Sequence, residues 1–355
     1  MKINIFGLCF GTDGMAQHTR YFSAALGSFH DVSLVPWDTP ATTDETVPRF
    51  LHTGEPHPVA DVGIVIGPIE RMNEIKGRYR IGFIVWETTL IPETRLNILK
   101  TLDEVWVPSS WGRMILVDND LPGERVHVIP EGVDPTIFRI RGPETQTVSR
   151  PFRFLCIGKW ENRKGIADLA LAYSREFSPA EPVELILHCF NPYLSGFSIK
   201  GALGKLDLPA HAPIHTSDPV SRATLVDLYN ACDVFVLPTK AEGWGLPIIE
   251  ALSCGLPAIA TNYSAHTDFL NNDNGYLIDV AEMIPADDPF FYGVDILLGV
   301  WAQPNIDHLQ QLMRRACSEN AERKQKGQQA QRDVMDHWTW QHAAQAAHQR
   351  LQTLV

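Results

Sequence analysis

The sequence predicts an α/β protein made of two successive parallel-sheet domains, and three observations carry that prediction. Short apolar, β-rich runs alternate with longer stretches of helical period, the pattern of parallel strands joined by helical crossovers. The alternation lapses once, after Asp134, into a polar stretch and then starts afresh. A chain of 355 residues, 45% of them hydrophobic, can fill two cores at roughly 150 residues per domain.

In the first set, residues 3–6, 62–66, 80–86, 105–108 and 126–130 read as strands of a domain covering residues 1–135. Residues 136–150, with Gly142-Pro143-Glu144-Thr145-Gln146-Thr147 and no apolar period, read as a linker. The second domain, residues 151–337, contains strand runs at 152–158, 183–189, 234–238, 258–261 and 276–278. Within it, residues 283–301 hold Pro285, Asp287, Asp288, Pro289, Phe290, Phe291 and Tyr292, fit neither period, and read as a long irregular excursion. Residues 338–355 form a last helix, capped by Thr339, whose Ala343, Ala344, Ala347 and Leu351 make a small apolar face that must pack on something. Ligands of open parallel sheets bind beyond the carboxyl ends of the strands. Two such domains facing each other would place a cleft between their loops, so chemistry is to be sought at strand ends.

Composition narrows the function classes. Lys and Arg total 30 against 42 Asp and Glu, a net charge of -12, and both halves of the chain are acidic, which argues against nucleic acid as a partner. The six cysteines stand far apart without a C-x-x-C pair and read as buried thiols of a reduced compartment. The N-terminus makes a poor signal peptide and no apolar stretch is long enough to span a bilayer, so a cytoplasmic location is expected. The cluster Arg71, Lys76, Arg78 and Arg80 reads as a solvated face, and is compatible with a peripheral contact at the inner face of a membrane. Asp118-Asn119-Asp120 has the D-x-D form of a divalent-metal motif but sits in a polar turn before Pro122-Gly123, where a helix end is expected; no metal site is predicted from it or from the 13 histidines.

The richest motif runs from Asp233 to Ala251: an apolar strand, then Pro238-Thr239-Lys240-Ala241-Glu242-Gly243-Trp244-Gly245, then a helix with Pro247 in its first turn and Glu250 beyond. Gly243 and Gly245 let backbone approach a ligand, the helix start offers amides to an anion, and the two glutamates accept bonds from hydroxyls, which suits a phosphorylated sugar. Each glutamate taken singly also fits a solvated loop or helix face. Seven residues separate Glu242 from Glu250, and with the following Ser253-Cys254-Gly255-Leu256-Pro257 the run resembles the E-x7-E region of retaining glycosyltransferases of family 4, enzymes of the GT-B architecture with two Rossmann-like domains facing a central cleft. The resemblance implies that Glu250 bonds the ribose of a nucleotide-sugar donor, that Glu242 contacts the donor sugar near its reacting carbon, and that the backbone of Gly243, Trp244, Gly245 and Leu246 holds the sugar and diphosphate.

Gly158-Lys159-Trp160-Glu161-Asn162-Arg163-Lys164-Gly165 follows the first strand of the second domain and gathers three cations near a helix start. It is similar to the family's phosphate element. That similarity implies that Lys164 and Lys159 neutralise the departing diphosphate, with Lys159 standing where relatives carry Arg and Arg163 able to share its task. In the first domain Gly7-Leu8-Cys9-Phe10-Gly11-Thr12-Asp13-Gly14 resembles the family's glycine loop, with Gly14 as the implied donor contact; a plain strand-to-helix turn explains it as well. Glu87, after an apolar run, stands where the resemblance implies a group that orients or deprotonates the acceptor, and a structural ion pair is the other reading. His18, on the first helix, is a weaker candidate for the same task and reads rather as a surface residue. Pro130-Glu131-Gly132-Val133-Asp134 resembles the end of the family's first domain, His215 and Thr216 lie at a strand end that in relatives is near the nucleotide base, and Thr261-Asn262-Tyr263-Ser264-Ala265-His266 lacks the double glycine of relatives.

The implied function is a retaining, metal-independent hexosyltransferase with no cofactor, using a nucleotide-diphosphate sugar as donor and a glycan or lipid-linked hydroxyl as acceptor, in cell-surface polysaccharide synthesis. Two alternatives stand beside it: a GT-B hydrolase or epimerase of nucleotide sugars, which would turn over donor alone, and a catalytically silent nucleotide-sugar-binding subunit. An NAD-dependent oxidoreductase is disfavoured by the glycine spacing.

Overall fold

The computed structural model describes residues 1–11, 13–39, 52–53, 55–142, 150–191, 193–217, 220–288 and 298–354. Thr12 of the first glycine loop, linker residues 143–149 and excursion residues 289–297, with their aromatic triplet, lie outside the described residues. The chain divides into two compact units, Met1–Asp134 with His337–Val355, and Pro135–Asp336.

In the first unit the described strands are β1 (Lys2–Gly7), β2 (Asp31–Pro36), β3 (His52–Thr53), β4 (Val62–Ile66), β5 (Tyr79–Phe83), β6 (Glu104–Val107) and β7 (Val126–Val128). They form one sheet in the order β3-β2-β1-β4-β5-β6-β7, with every pairing parallel. β4 is buried at every position, as a strand covered on both faces must be. β5 is shorter than the expected run 80–86, because its neighbour β4 stops before Gly67-Pro68 and the chain leaves the sheet after Ile84. Helix α1 (Gly14–Leu26) starts on Asp13, whose carboxylate accepts the Met15 and Ala16 amides at 3.0 and 3.1 Å. Helices α2 (Glu93–Leu99) and α3 (Ser110–Asp118) follow. Asp118 closes α3 and Asp120 turns the chain with φ +62, the helix end expected for this D-x-D.

The second unit contains β8 (Phe152–Lys159), β9 (Val183–Phe190), β10 (Ile214–Thr216), β11 (Val234–Leu237), β12 (Ala258–Thr261) and β13 (Gly275–Ile278) in the parallel order β10-β9-β8-β11-β12-β13. Its helices among the described residues are α4 (Ile166–Glu176), α5 (Ile199–Leu203), α6 (Arg222–Asn230), α7 (Leu246–Ser253), α8 (Ile306–Ser318) and α9 (Asn320–His337). Two expectations are corrected here. Residues 136–142 are not a loose linker but part of this unit: Phe138 is fully buried against Tyr229, its carbonyl accepts the Ser253 hydroxyl at 2.5 Å, and Asn230 bonds both the Arg141 amide and the Arg139 carbonyl. The excursion is not irregular at its ends, since β14 (Val280–Pro285) and β15 (Val300–Pro304) pair antiparallel, placing Ile284 opposite a fully buried Trp301.

The last helix, α10 (Trp340–Gln352), belongs to the first unit and packs on α1 with Ala343, Ala344, Ala347 and Leu351 fully buried. Thr339 caps it as expected. All six cysteines are free thiols, five of them buried. Among the described residues no helix is long and apolar enough to cross a membrane.

Candidate active site

In the second unit the strand order reverses between β8 and β11: the chain goes outward from β8 to β9 and β10 on one side, and from β11 to β12 and β13 on the other. At such a switch point the loops leaving the carboxyl ends of two adjacent strands diverge and leave a crevice for a ligand. The loop after β8 carries Arg163 and Lys164, and the loop after β11 carries Lys240 and Glu242.

The two loops are joined backbone to backbone. The Lys240 amide donates to the Arg163 carbonyl at 2.7 Å, and the Thr239 hydroxyl donates to the same carbonyl at 3.2 Å. Gly165 makes the approach feasible: its φ is +65, and a Cβ there would stand 2.2 Å from the Pro238 carbonyl oxygen. Across this junction the Lys164 ammonium donates to both Glu242 oxygens, at 2.7 and 2.8 Å, and the Arg163 guanidinium stands 3.4 Å from the same carboxylate. Lys164 is 7% exposed and Glu242 2%. Burial alone would raise the Glu242 carboxyl; the Lys164 and Arg163 charges outweigh it and hold the group at about 2, so it is ionised.

Arg163 serves the loops directly. Its guanidinium donates to the Ala241 carbonyl and to Glu161, each at 2.6 Å. Lys159, at the end of β8, is half-buried with its ammonium 3.5 Å from Glu161 and 5.4 Å from the Tyr193 ring. Of the three expected cations, Lys164 is the one the fold brings onto Glu242 with full hydrogen bonding.

Beyond Glu242 the chain passes through Gly243 and Trp244, the latter buried against Phe269, to Gly245, which has φ +104 and opens α7 at Leu246 without a side-chain cap. Only glycine takes that backbone conformation at no steric cost, and no side chain caps the first amides of α7. One and a half turns on, Glu250 is 5% exposed; the Tyr229 hydroxyl donates to it at 2.9 Å and the Arg222 guanidinium is 3.6 Å away. Burial raises its carboxyl above the ordinary range, and Arg222 and Tyr229 only partly oppose that. Tyr229 and Arg222 were not singled out in the sequence. Their spacing of seven along α6 is the signal, because it places both on one helix face.

The loop after β12, read in the sequence only as a segment lacking the double glycine of relatives, supplies two more residues whose roles the sequence did not assign. The Ser264 hydroxyl accepts the Glu242 amide at 2.8 Å, and His266, fully buried, donates through Nε2 to the Thr261 carbonyl at 2.6 Å. Burial lowers the His266 imidazole, so it is neutral. Lys240 is also buried, donating to Asn162 at 2.7 Å, while its own carbonyl accepts the Ala302 amide of β15.

The remaining expected residues lie elsewhere. Thr216 ends the edge strand β10, two strands from β8, beside His215, whose ring is 3.7 Å from Glu184. Gly14 and Glu87 belong to the first unit. Gly14 opens α1, where the Asp13 carboxylate already takes the amides that a phosphate would use. The loop before it is pinned, with the Cys9 and Phe10 amides on Asp38 and the Gly11 carbonyl on Arg20. Glu87 is half-buried, four residues past the end of β5. His18 is not a surface residue: it is fully buried, 3.4 Å from Glu131, edge-on to Phe83 at 4.3 Å and stacked on Trp340 at 5.7 Å. The helix α10 that covers it comes from the far end of the chain, which no local pattern shows.

Comparison with known proteins finds glycosyltransferases similar to this chain. Residues 151–286 match the family model of glycosyl transferases group 1. The chain is 31% identical over 174 residues to a D-inositol 3-phosphate glycosyltransferase of Xylanimonas cellulosilytica, covering 44% of this chain and 40% of that one. It is 25% identical over 256 residues to an MMP alpha-(1->4)-mannosyltransferase of Mycolicibacterium hassiacum, covering 71% and 54%. The matched regions thus span about half or less of those relatives' own lengths. Among solved structures, Anabaena HepE in complex with UDP-glucose superposes with a TM-score of 0.74 at 14% identity, covering 99% of this chain and 100% of that one. The architecture is GT-B. Over residues 151–286 the chain is similar to the group 1 glycosyl transferases.

Proposed function

We propose that this chain is a retaining glycosyltransferase that moves a hexosyl unit from a nucleotide-diphosphate sugar to a hydroxyl of a glycan or lipid-linked acceptor. The observation that carries it is the buried Lys164–Glu242 pair at the switch point of the sheet, with Glu250 on the helix that follows. Breaking the bond between sugar and diphosphate puts positive charge on the sugar carbon and negative charge on the leaving oxygens. Lys164 and the amides at the start of α7 stabilise the leaving group, and the ionised Glu242 faces the sugar. Lys159, half-exposed, adds charge at the rim. Glu242 is not a covalent nucleophile in this scheme. The acceptor attacks on the face the diphosphate leaves, and a departing phosphate oxygen takes its proton. The orientation of the acceptor is assigned to Glu87. Neutralisation of the diphosphate falls to side chains and amides, so EDTA is expected to leave turnover unchanged. Synthesis of a cell-surface polysaccharide in the cytoplasm, at the inner face of the membrane, is the setting that fits such an acceptor.

A thermal-shift and calorimetric screen of UDP-, GDP- and ADP-sugars tests this, with UDP-glucose first because the fold neighbour HepE holds it. One nucleotide is expected to bind selectively to the wild type. In Glu250→Gln affinity falls by about 10- to 100-fold, the worth of hydrogen bonds from ribose hydroxyls to a charged acceptor. The Gln variant suits the test because it removes a carboxylate that burial disfavours and keeps an acceptor for Tyr229, so the fold is expected to be no less stable. Unchanged affinity in the variant, or no binding by a folded wild type, would overturn the assignment.

A further inference from the structure

Ser264 has φ +72 and ψ -161, and it is one of two non-glycine residues with positive φ among the described residues. The other, Asp120, sits in an ordinary left-handed turn. The Ser264 conformation lies in a region that side chains avoid and glycine occupies freely, and such outliers persist only where the surroundings hold them. Here they do. The Ser264 carbonyl accepts both the Thr267 amide at 3.2 Å and the Thr267 hydroxyl at 2.7 Å, and His266 anchors the loop to Thr261.

What the strained serine supplies, and glycine would not, is a hydroxyl. Its oxygen accepts the Glu242 amide at 2.8 Å, while the next amide, of Ala265, donates to the Glu242 carbonyl at 3.3 Å. The two peptide ends of Glu242 are therefore clasped by consecutive residues of the loop after β12. Without the hydroxyl, the Glu242 amide would be a buried donor with no acceptor supplied from that loop.

We infer that Ser264 is a positioning residue, retained in a glycine-like conformation because its hydroxyl fixes the backbone of Glu242 and so aims that carboxylate at the sugar. This rests on Glu242 acting on the donor. Steady-state turnover of UDP-glucose, or of whichever nucleotide sugar the screen selects, is to be measured together with Tm for Ser264→Gly, Ser264→Ala and Glu242→Gln. In Ser264→Gly the relieved strain offsets the lost bond to the Glu242 amide, so Tm is expected to stay within about 2 °C of wild type. Its kcat falls about tenfold or more with donor KM within about threefold, because a displaced reacting group costs rate more than binding. Ser264→Ala keeps the strain and loses the bond, so its Tm falls and its kcat falls as in the glycine variant. A glycine variant with wild-type kcat, or one whose loss lies in KM alone, overturns the inference, and Ser264→Ala decides on the same kcat criterion if the glycine variant does not fold. Wild-type turnover by Glu242→Gln would instead sink the role of Glu242, leaving the two failures distinguishable.

Discussion

Replacing Lys164 with methionine is expected to reduce turnover of the nucleotide sugar by about a hundred- to a thousandfold, the size of effect seen when one preorganised donor to developing negative charge is removed. The same substitution should also destabilise the second unit. Glu242 would be left buried with Arg163 as its nearest cation at 3.4 Å, and breaking one side of a buried pair costs about 3–5 kcal/mol. A loss of activity in this variant alone therefore does not separate chemistry from folding. The double variant Lys164→Met/Glu242→Gln does, because it removes both charges together: Tm should recover most of the way towards wild type while turnover stays low. A double variant that regains turnover with its stability would show the pair to be structural. The acid limb of stability offers a second check. The Glu242 carboxyl is held at about 2 against an ordinary 4.5, so its contribution is fully present above that ordinary value and is lost as pH falls towards 2. In Lys164→Met the largest opposing charge is gone, and the acid transition should move to higher pH.

Glu104→Ala is expected to be the most damaging substitution in the first unit. Glu104, at the start of β6, is 1% exposed and accepts from the Tyr79 hydroxyl at 2.8 Å, the Trp106 indole at 2.9 Å and Arg350 of α10 at 2.5 and 3.2 Å, with His127 at 3.6 Å. Removing it leaves the Trp106 donor buried and cuts the polar tie between the sheet and the last helix. A loss of about 3 kcal/mol follows, because the carboxylate is buried and fully bonded although its partner Arg350 is partly exposed. Glu104→Gln should lose nearly as much, since the amide nitrogen would face the Trp106 or Arg350 donors. Burial works to raise this carboxyl, but the Arg350, Trp106 and Tyr79 bonds prevail and lower it, so its contribution is present above the ordinary carboxylate range and fades below it. Denaturant unfolding gives the magnitude, and amide exchange locates it: protection should fall first along α10. A glutamine variant as stable as wild type would show that shape, not charge, holds the helix.

The sequence alone determined the rhythm of two parallel-sheet domains, the spacing of Glu242 and Glu250 about a glycine loop, the cation after the first strand of the second domain, and the small apolar face of the last helix. These are local patterns, set by strand and helix periods and by turn chemistry over a few residues. Tertiary structure decided what those residues do to one another. Lys164 meets Glu242 across 78 residues of chain, Arg350 meets Glu104 across 246, and Tyr229 meets Glu250 from another helix. Each encounter depends on strand order and helix docking, which no window of sequence contains. The same holds for His18, an ordinary helical residue until α10 covers it, and for the 280–304 region, whose antiparallel pairing appears only when both ends are seen together. Ser264 is the sharpest instance: a serine in a polar loop by sequence, it takes a glycine-like conformation in which its hydroxyl accepts the amide of Glu242, a residue 22 positions earlier. Charge state is likewise a tertiary property, because the same side chain, glutamate, is held at about 2 beside two buried cations and raised above its ordinary value one helix away, where burial outweighs its single distant guanidinium.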